Sequence, residues 1–144
     1  LGTNASASLE LIRQMLDGHM PAAPRLGFAI VDVRDLAKLH VRALNDEAAM
    51  GERWIASADF LWLTDISAVL RAEFGDAAAK APTDTLPDEV FREAVADTEM
   101  EALTPDLGRE SVFSSAKAKQ LLNWEPRSAS EAVLATGASM LGVA

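Results

Sequence analysis

Asp32 and Asp35 stand where an apolar run, Phe28-Ala29-Ile30-Val31, gives way to a helix-forming segment. A carboxylate at such a junction can face the pocket that opens at strand ends in parallel α/β sheets, so acid–base chemistry is the first use to weigh. Structure explains the pair better. Asp35 sits where a helix N-cap belongs, its carboxylate accepting from free N–H groups for about 1 kcal/mol, and Asp32 can hold Arg34 by a charge-assisted bond. His19 and His40 stand alone, with no carboxylate or second histidine at ligand spacing, and no metal is expected. His40, on an apolar helix, reads as a packed and hydrogen-bonded residue. No Gly-x-Ser-x-Gly elbow occurs, and the serines at 6–8, 114–115 and 128–130 fall where helices start. No catalytic residue is therefore assigned. The eight glycines, at 2, 18, 27, 51, 75, 108, 137 and 142, are spread singly, so no loop gathers several N–H groups round a phosphate. Arg109, next to Gly108, is the cation best placed to hold a substrate carboxylate or phosphate; pairing with the acidic stretch before it is an equal use.

The elements that would position these groups follow from spacing. Leu9, Ile12, Met15 and Leu16 line one face of a helix that begins near Ser6 and stops at Gly18, with Pro21 and Pro24 beyond. After a buried strand, residues 35–45 predict a helix whose polar stripe is only Lys38, Arg42 and Asn45, so a sheet or two helices should cover the rest. Residues 52–57 predict a second strand. Thr64 is the expected N-cap of a helix through Ile66, Val69, Leu70 and Phe74, ended by Gly75. Residues 84–106 carry eight carboxylates and only Arg92 among cations, with Pro87 opening a short helix whose apolar side is Val90, Phe91, Ala94 and Val95. A third short strand is expected at 111–113, then a helix capped by Ser114 or Ser115 that carries Leu121 and Leu122. Ser128 and Glu131 form a capping box for a last helix through Val133, Leu134 and Leu141.

Composition bounds the rest. A chain of 144 residues with 49% hydrophobic residues suits one domain with a real core. Its net charge of -9 opposes nucleic acid and anionic membranes as partners. With zero cysteines it has no disulfide and no thiolate chemistry, and no apolar stretch reaches the roughly 20 residues that span a bilayer. The opening Leu-Gly-Thr-Asn is expected to be a cut rather than a native start.

Several segments together carry a resemblance: Val31-Asp32-Val33-Arg34-Asp35-Leu36-Ala37 with His40 and Ala43-Leu44, then Gly51-Glu52-Arg53-Trp54-Ile55, and finally Ser114-Ser115-Ala116-Lys117-Ala118-Lys119 leading to Leu121-Leu122-Asn123-Trp124-Glu125-Pro126-Arg127-Ser128. In order and spacing they resemble the C-terminal portion of the extended short-chain dehydrogenase/reductase family (the NAD-dependent epimerase/dehydratase superfamily), within it the dihydroflavonol-reductase-like branch. The likeness covers nearly the whole chain. It implies an α/β fold, the C-terminal substrate-binding portion of an extended Rossmann-type protein, with helices and a few short strands and without the N-terminal dinucleotide-binding half. The family's glycine-rich loop and Tyr-x-x-x-Lys pair are both missing here; with no tyrosine the chain cannot supply the family's general acid. Where relatives have glycine before the tryptophan, this chain has Asn123, which tolerates a left-handed backbone.

The resemblance implies the substrate-binding portion of an NADP(H)- or NAD-dependent carbonyl reductase, one unit over residues 1–144, cytoplasmic and without turnover alone. In the parent a tyrosine would protonate the carbonyl oxygen while the nicotinamide delivers hydride. Leu1 and Gly2 would lie beside the nicotinamide, Trp62 and Phe91 would form apolar walls, and Arg109 would anchor a small carbonyl substrate. A parent acting as a nucleotide-sugar epimerase or dehydratase is an alternative, weakened by the lack of clustered arginines. A non-catalytic interaction domain is another. Self-association through exposed apolar surface is expected under either the enzyme or the binding reading.

Overall fold

Capping residues set most helix ends in the computed structural model, which describes residues 6–143. The Ser6 hydroxyl accepts the Leu9 N–H at 3.4 Å and opens helix α1 (Ala7–Asp17); Gly18, at φ 81°, closes it in the left-handed conformation that a residue without Cβ adopts freely. Strand β1 (Ala23–Pro24) follows. Only Arg25 and Leu26 separate it from β2 (Gly27–Ile30), which leads into α2 (Val33–Asn45). Strand β3 (Asp59–Trp62) runs directly into α3 (Leu63–Phe74), and β4 (Thr85–Leu86) into α4 (Asp88–Val95). Two further helices, α5 (Ala116–Leu121) and α6 (Ala129–Leu141), complete the described chain, with 3-10 turns at Glu47–Ala49, Gly75–Ala78 and Glu99–Asp106.

The strands form two separate two-stranded sheets. β1 pairs with β4 in parallel, Ala23 opposite Thr85 and Pro24 opposite Leu86, whereas β2 pairs with β3 antiparallel from Gly27 opposite Trp62 to Ile30 opposite Asp59. Gly27 is required where it stands: a Cβ there would meet the Phe60 ring at 2.3 Å and the Leu61 carbonyl oxygen at 2.8 Å. The Leu63 N–H donates to the Leu26 oxygen at 2.9 Å, so the short link between the sheets is held against the start of α3.

The main core gathers Met15 and Leu16 of α1, Ile66 and Leu70 of α3, Phe91 and Val95 of α4 and Val133 of α6. Helices α3 and α6 approach closely at Gly137, where a Cβ would come within 2.7 Å of Leu70 and Phe74. A second core sits under α2 and α5, built from Leu39, Ala49, Ala118, Leu122 and Trp124. No helix among the described residues is long and apolar enough to cross a membrane.

Several expectations change. The second strand lies at Asp59–Trp62 rather than 52–57, because the alternation of Phe60 and Trp62 lays two aromatic rings on one face of the pair. Residues 111–113 form no strand. Helix α2 begins two residues early, capped by Asp32, and buries only Asp35 and Leu39, leaving Val33, Val41 and Leu44 exposed by 67%, 60% and 85%. Its preceding strand is half-buried rather than enclosed. At α3 the cap is not Thr64: the Asp65 carboxylate reaches back to the Trp62 N–H at 3.1 Å. Pro87 is the N-cap of α4 rather than its first residue, while Gly18, Gly75, the reciprocal Ser128–Glu131 box and Asn123 at φ 48° stand as the spacing predicts.

Candidate functional site

The acidic pair at the β2–α2 junction does structural work. Asp32 Oδ1 accepts the Arg34 N–H at 2.8 Å and Nε at 2.9 Å, while Oδ2 takes Nη2 at 2.5 Å. The guanidinium bond, outweighing the opposing effect of burial, pulls the Asp32 carboxyl down to about 2. Asp35, 1% exposed, accepts from the Arg127 N–H at 2.9 Å, Arg127 Nη1 at 2.6 Å and Lys38 Nζ at 3.1 Å. The Arg127 backbone bond, above all, holds its carboxyl below the usual carboxylate range against the opposing effect of burial. Trp124 Nε1 donates to the Asp35 carbonyl oxygen at 2.8 Å, and the Arg42 guanidinium donates to the Leu122 and Asn123 oxygens. Both carboxylates are occupied as acceptors by cations and cannot serve as a proton-exchanging pair near neutral pH. His40 is exposed on α2, its Nδ1 at 2.9 Å from the Leu36 oxygen.

A groove of about 280 Å³ opens where the two sheets adjoin, lined by Arg25, Trp62, Thr64, Thr85 and Gly108. Each residue is placed by an element end: Arg25 follows β1, Trp62 ends β3, Thr64 lies in the first turn of α3, and Thr85 opens β4. Asp88, the first residue of α4, takes Arg25 Nε at 3.0 Å and Nη2 at 2.6 Å. This two-point bond raises the Arg25 pKa and lowers that of Asp88. Arg92 Nη2 stands 3.9 Å from the same Asp88 oxygen. The Gly108 N–H donates to the Arg25 oxygen at 2.7 Å. At φ 71°, Gly108 brings bare backbone up to the guanidinium, and a Cβ would lie 3.1 Å from Nη2. Phe60 meets the Trp62 ring edge-on, centroids 4.9 Å apart at 84°. Such a groove can bind and orient a polar, flat molecule; none of its side chains exchanges a proton near neutral pH.

The expected site residues divide. Trp62 lines the groove. Arg109 is exposed one residue beyond Gly108 and is not among the lining residues. Phe91 is 4% exposed and belongs to the main core, so it packs from within instead of forming a wall. Leu1 and Gly2 lie outside the described residues. Arg25, Thr64 and Thr85 were invisible to spacing, since they meet only through the pairing of β1 with β4. The one available signal was Arg25 itself, a lone cation set between Pro24 and Leu26. A second groove, of about 350 Å³, lies between the β2–β3 pair and residues 110–113.

Four of the six helix N-termini among the described residues are poor seats for a dinucleotide phosphate. Helix N-termini are the natural seats for phosphate, but α2, α3, α4 and α6 carry Asp32, Asp65, Asp88 and Glu131 in that place, which would repel it. Among the described residues no cluster of three His, Cys, Asp or Glu could hold a metal.

No protein-family profile matches the chain, and no curated protein matches it in sequence. Solved structures do. The crystal structure of gox2253 matches at 27% identity and a TM-score of 0.68, over 94% of this chain and 43% of that one. Yeast methylglyoxal/isovaleraldehyde reductase Gre2 complexed with NADPH matches at 23% identity and a TM-score of 0.67, over 92% and 39%. Gre2 from Candida albicans, also in complex with NADPH, matches at 21% identity and 0.63, over 93% and 36%. The chain thus spans about two fifths of the length of the structures it matches, and its fold is part of a Rossmann-like α/β architecture, mostly helical with few short strands.

Proposed function

We propose that this chain is the substrate-binding portion of an NADP(H)-dependent carbonyl reductase of the dihydroflavonol-reductase-like type, a single unit over residues 1–144 with no turnover by itself. The observation that carries this reading is the superposition of 92% of the chain on 39% of a reductase solved with NADPH. Two features of the chain support it. The groove at Trp62 is of a size to admit a small carbonyl compound, and four of the helix N-termini carry carboxylates that would repel a dinucleotide phosphate. Cofactor and general acid would come from the rest of the parent, with Leu1 and Gly2 beside the nicotinamide and Arg109 at the margin of the groove. A cytoplasmic location belongs to the same reading.

The test has two halves. Mixed with NADPH and methylglyoxal or isovaleraldehyde, the chain alone should leave the absorbance of NADPH unchanged; sustained oxidation overturns the assignment. In proton–nitrogen NMR spectra, isovaleraldehyde should shift the Trp62 indole N–H and the Gly108 N–H. If both signals stay fixed at saturating aldehyde, this groove is not a carbonyl site.

A further inference from the structure

We propose that the groove at Arg25 and Trp62 selects carbonyl compounds that also bear a carboxylate, of the branched or aromatic 2-oxo acid kind; this deepens the reductase reading and rests on it. Asp88 engages Nε and Nη2 of Arg25 at 3.0 and 2.6 Å, which locks the guanidinium plane and leaves its Nη1 edge for another acceptor. Arg92 stands 3.9 Å from the same Asp88 oxygen, so two guanidiniums share one carboxylate, with Glu89 adding a weaker pull on Arg25. The bare backbone of Gly108 reaches this edge: a Cβ there would fall 3.3 Å from Nη1. Asp88 thus holds the guanidinium in place while its Nη1 edge, with no side chain on Gly108 to cover it, stays available to a carboxylate.

The groove also has one aromatic lining residue, Trp62. Phe60 sets the Trp62 indole edge-on, and the indole offers a wall for a branched or aromatic tail. Thr64 and Thr85 also line the groove, and a threonine hydroxyl can donate to a ketone oxygen. The chain as a whole carries a net charge of -9 and repels anions at long range, so an anionic ligand must be recognised at close quarters, as a fixed fork allows.

The experiment compares 4-methyl-2-oxopentanoate with isovaleraldehyde, which has the same branched tail and no carboxylate, by titration calorimetry and by the Trp62 and Gly108 NMR signals. The oxo acid should bind at least tenfold more tightly. Arg25→Met should abolish that preference, Arg25→Lys should retain part of it, and Thr64→Val should weaken both ligands. Circular dichroism confirms that each variant is folded; if Arg25→Met is not, Arg25→Lys and Thr64→Val decide. Equal affinity for the two ligands, or an unaltered preference in the Arg25 variants, overturns the carboxylate anchor and leaves the reductase reading standing. Binding of neither ligand overturns both.

Discussion

Asp35 shows how one side chain can look catalytic in sequence and prove structural in space. Its carboxylate joins the start of α2 to the turn before α6, which lies more than ninety positions on, and the residues it joins belong to two of the three segments that carry the resemblance. Replacing it leaves the Arg127 N–H and guanidinium without their acceptor, so Asp35→Ala should cost about 2 kcal/mol in denaturant unfolding at pH 7. The sign with pH is set. Asp32 and Asp35 are both held below the ordinary carboxylate value, so their contribution is complete above the unfolded value of 3.8 and is lost as pH falls toward the folded value, about 2 for Asp32. The penalty of Asp35→Ala should therefore shrink as pH falls below the ordinary carboxylate value of 3.8. Spacing identified the Asp32–Arg34 bond, because both partners are local. It could not find Arg127 opposite Asp35, or Asp88 opposite Arg25, because nothing in the primary order says which distant cation meets which acid.

Helices were legible where a cap and a face agreed. Ser6 with Gly18, and Ser128 with Glu131, state both the start and the handedness of the backbone that follows. Strands were not, because those of two to four residues carry too few alternations to set a register, and Phe60 and Trp62 outweighed the β-forming string before them. Apolar count also misjudged α2, whose covered stripe is Asp35, Leu36, Leu39 and Ala43, with Val41 and Leu44 outside it. A test at this scale is the crossing of α3 and α6. Gly137→Leu would drive a branched side chain into Leu70 and Phe74, already 2.7 Å from a bare Cβ, and should lower stability by about 1–3 kcal/mol in thermal or urea unfolding. Gly137→Ala should be milder, since helix propensity offsets part of the crowding.

At the scale of the molecule, the order of the segments gave the architecture, while the groove emerged only once β1 had found β4. The exposed Val41 and Leu44, one helical turn apart on α2, make an uncovered apolar strip in the described structure. We expect concentration-dependent self-association of the chain in sedimentation, reduced by the double change Val41→Lys, Leu44→Lys; an unchanged distribution would assign association to another surface. The parallel pairing of Ala23 with Thr85, and the bond from Trp124 to Asp35, bear on how the molecule comes to exist at all. Each closes a loop of sixty or more residues, a step whose entropic cost falls before its reward, whereas α3 and α6 can form turns locally. Assembly should therefore finish, rather than begin, at the groove and at the Trp124 clasp, making these the last parts of the chain to set and the first exposed when it loosens.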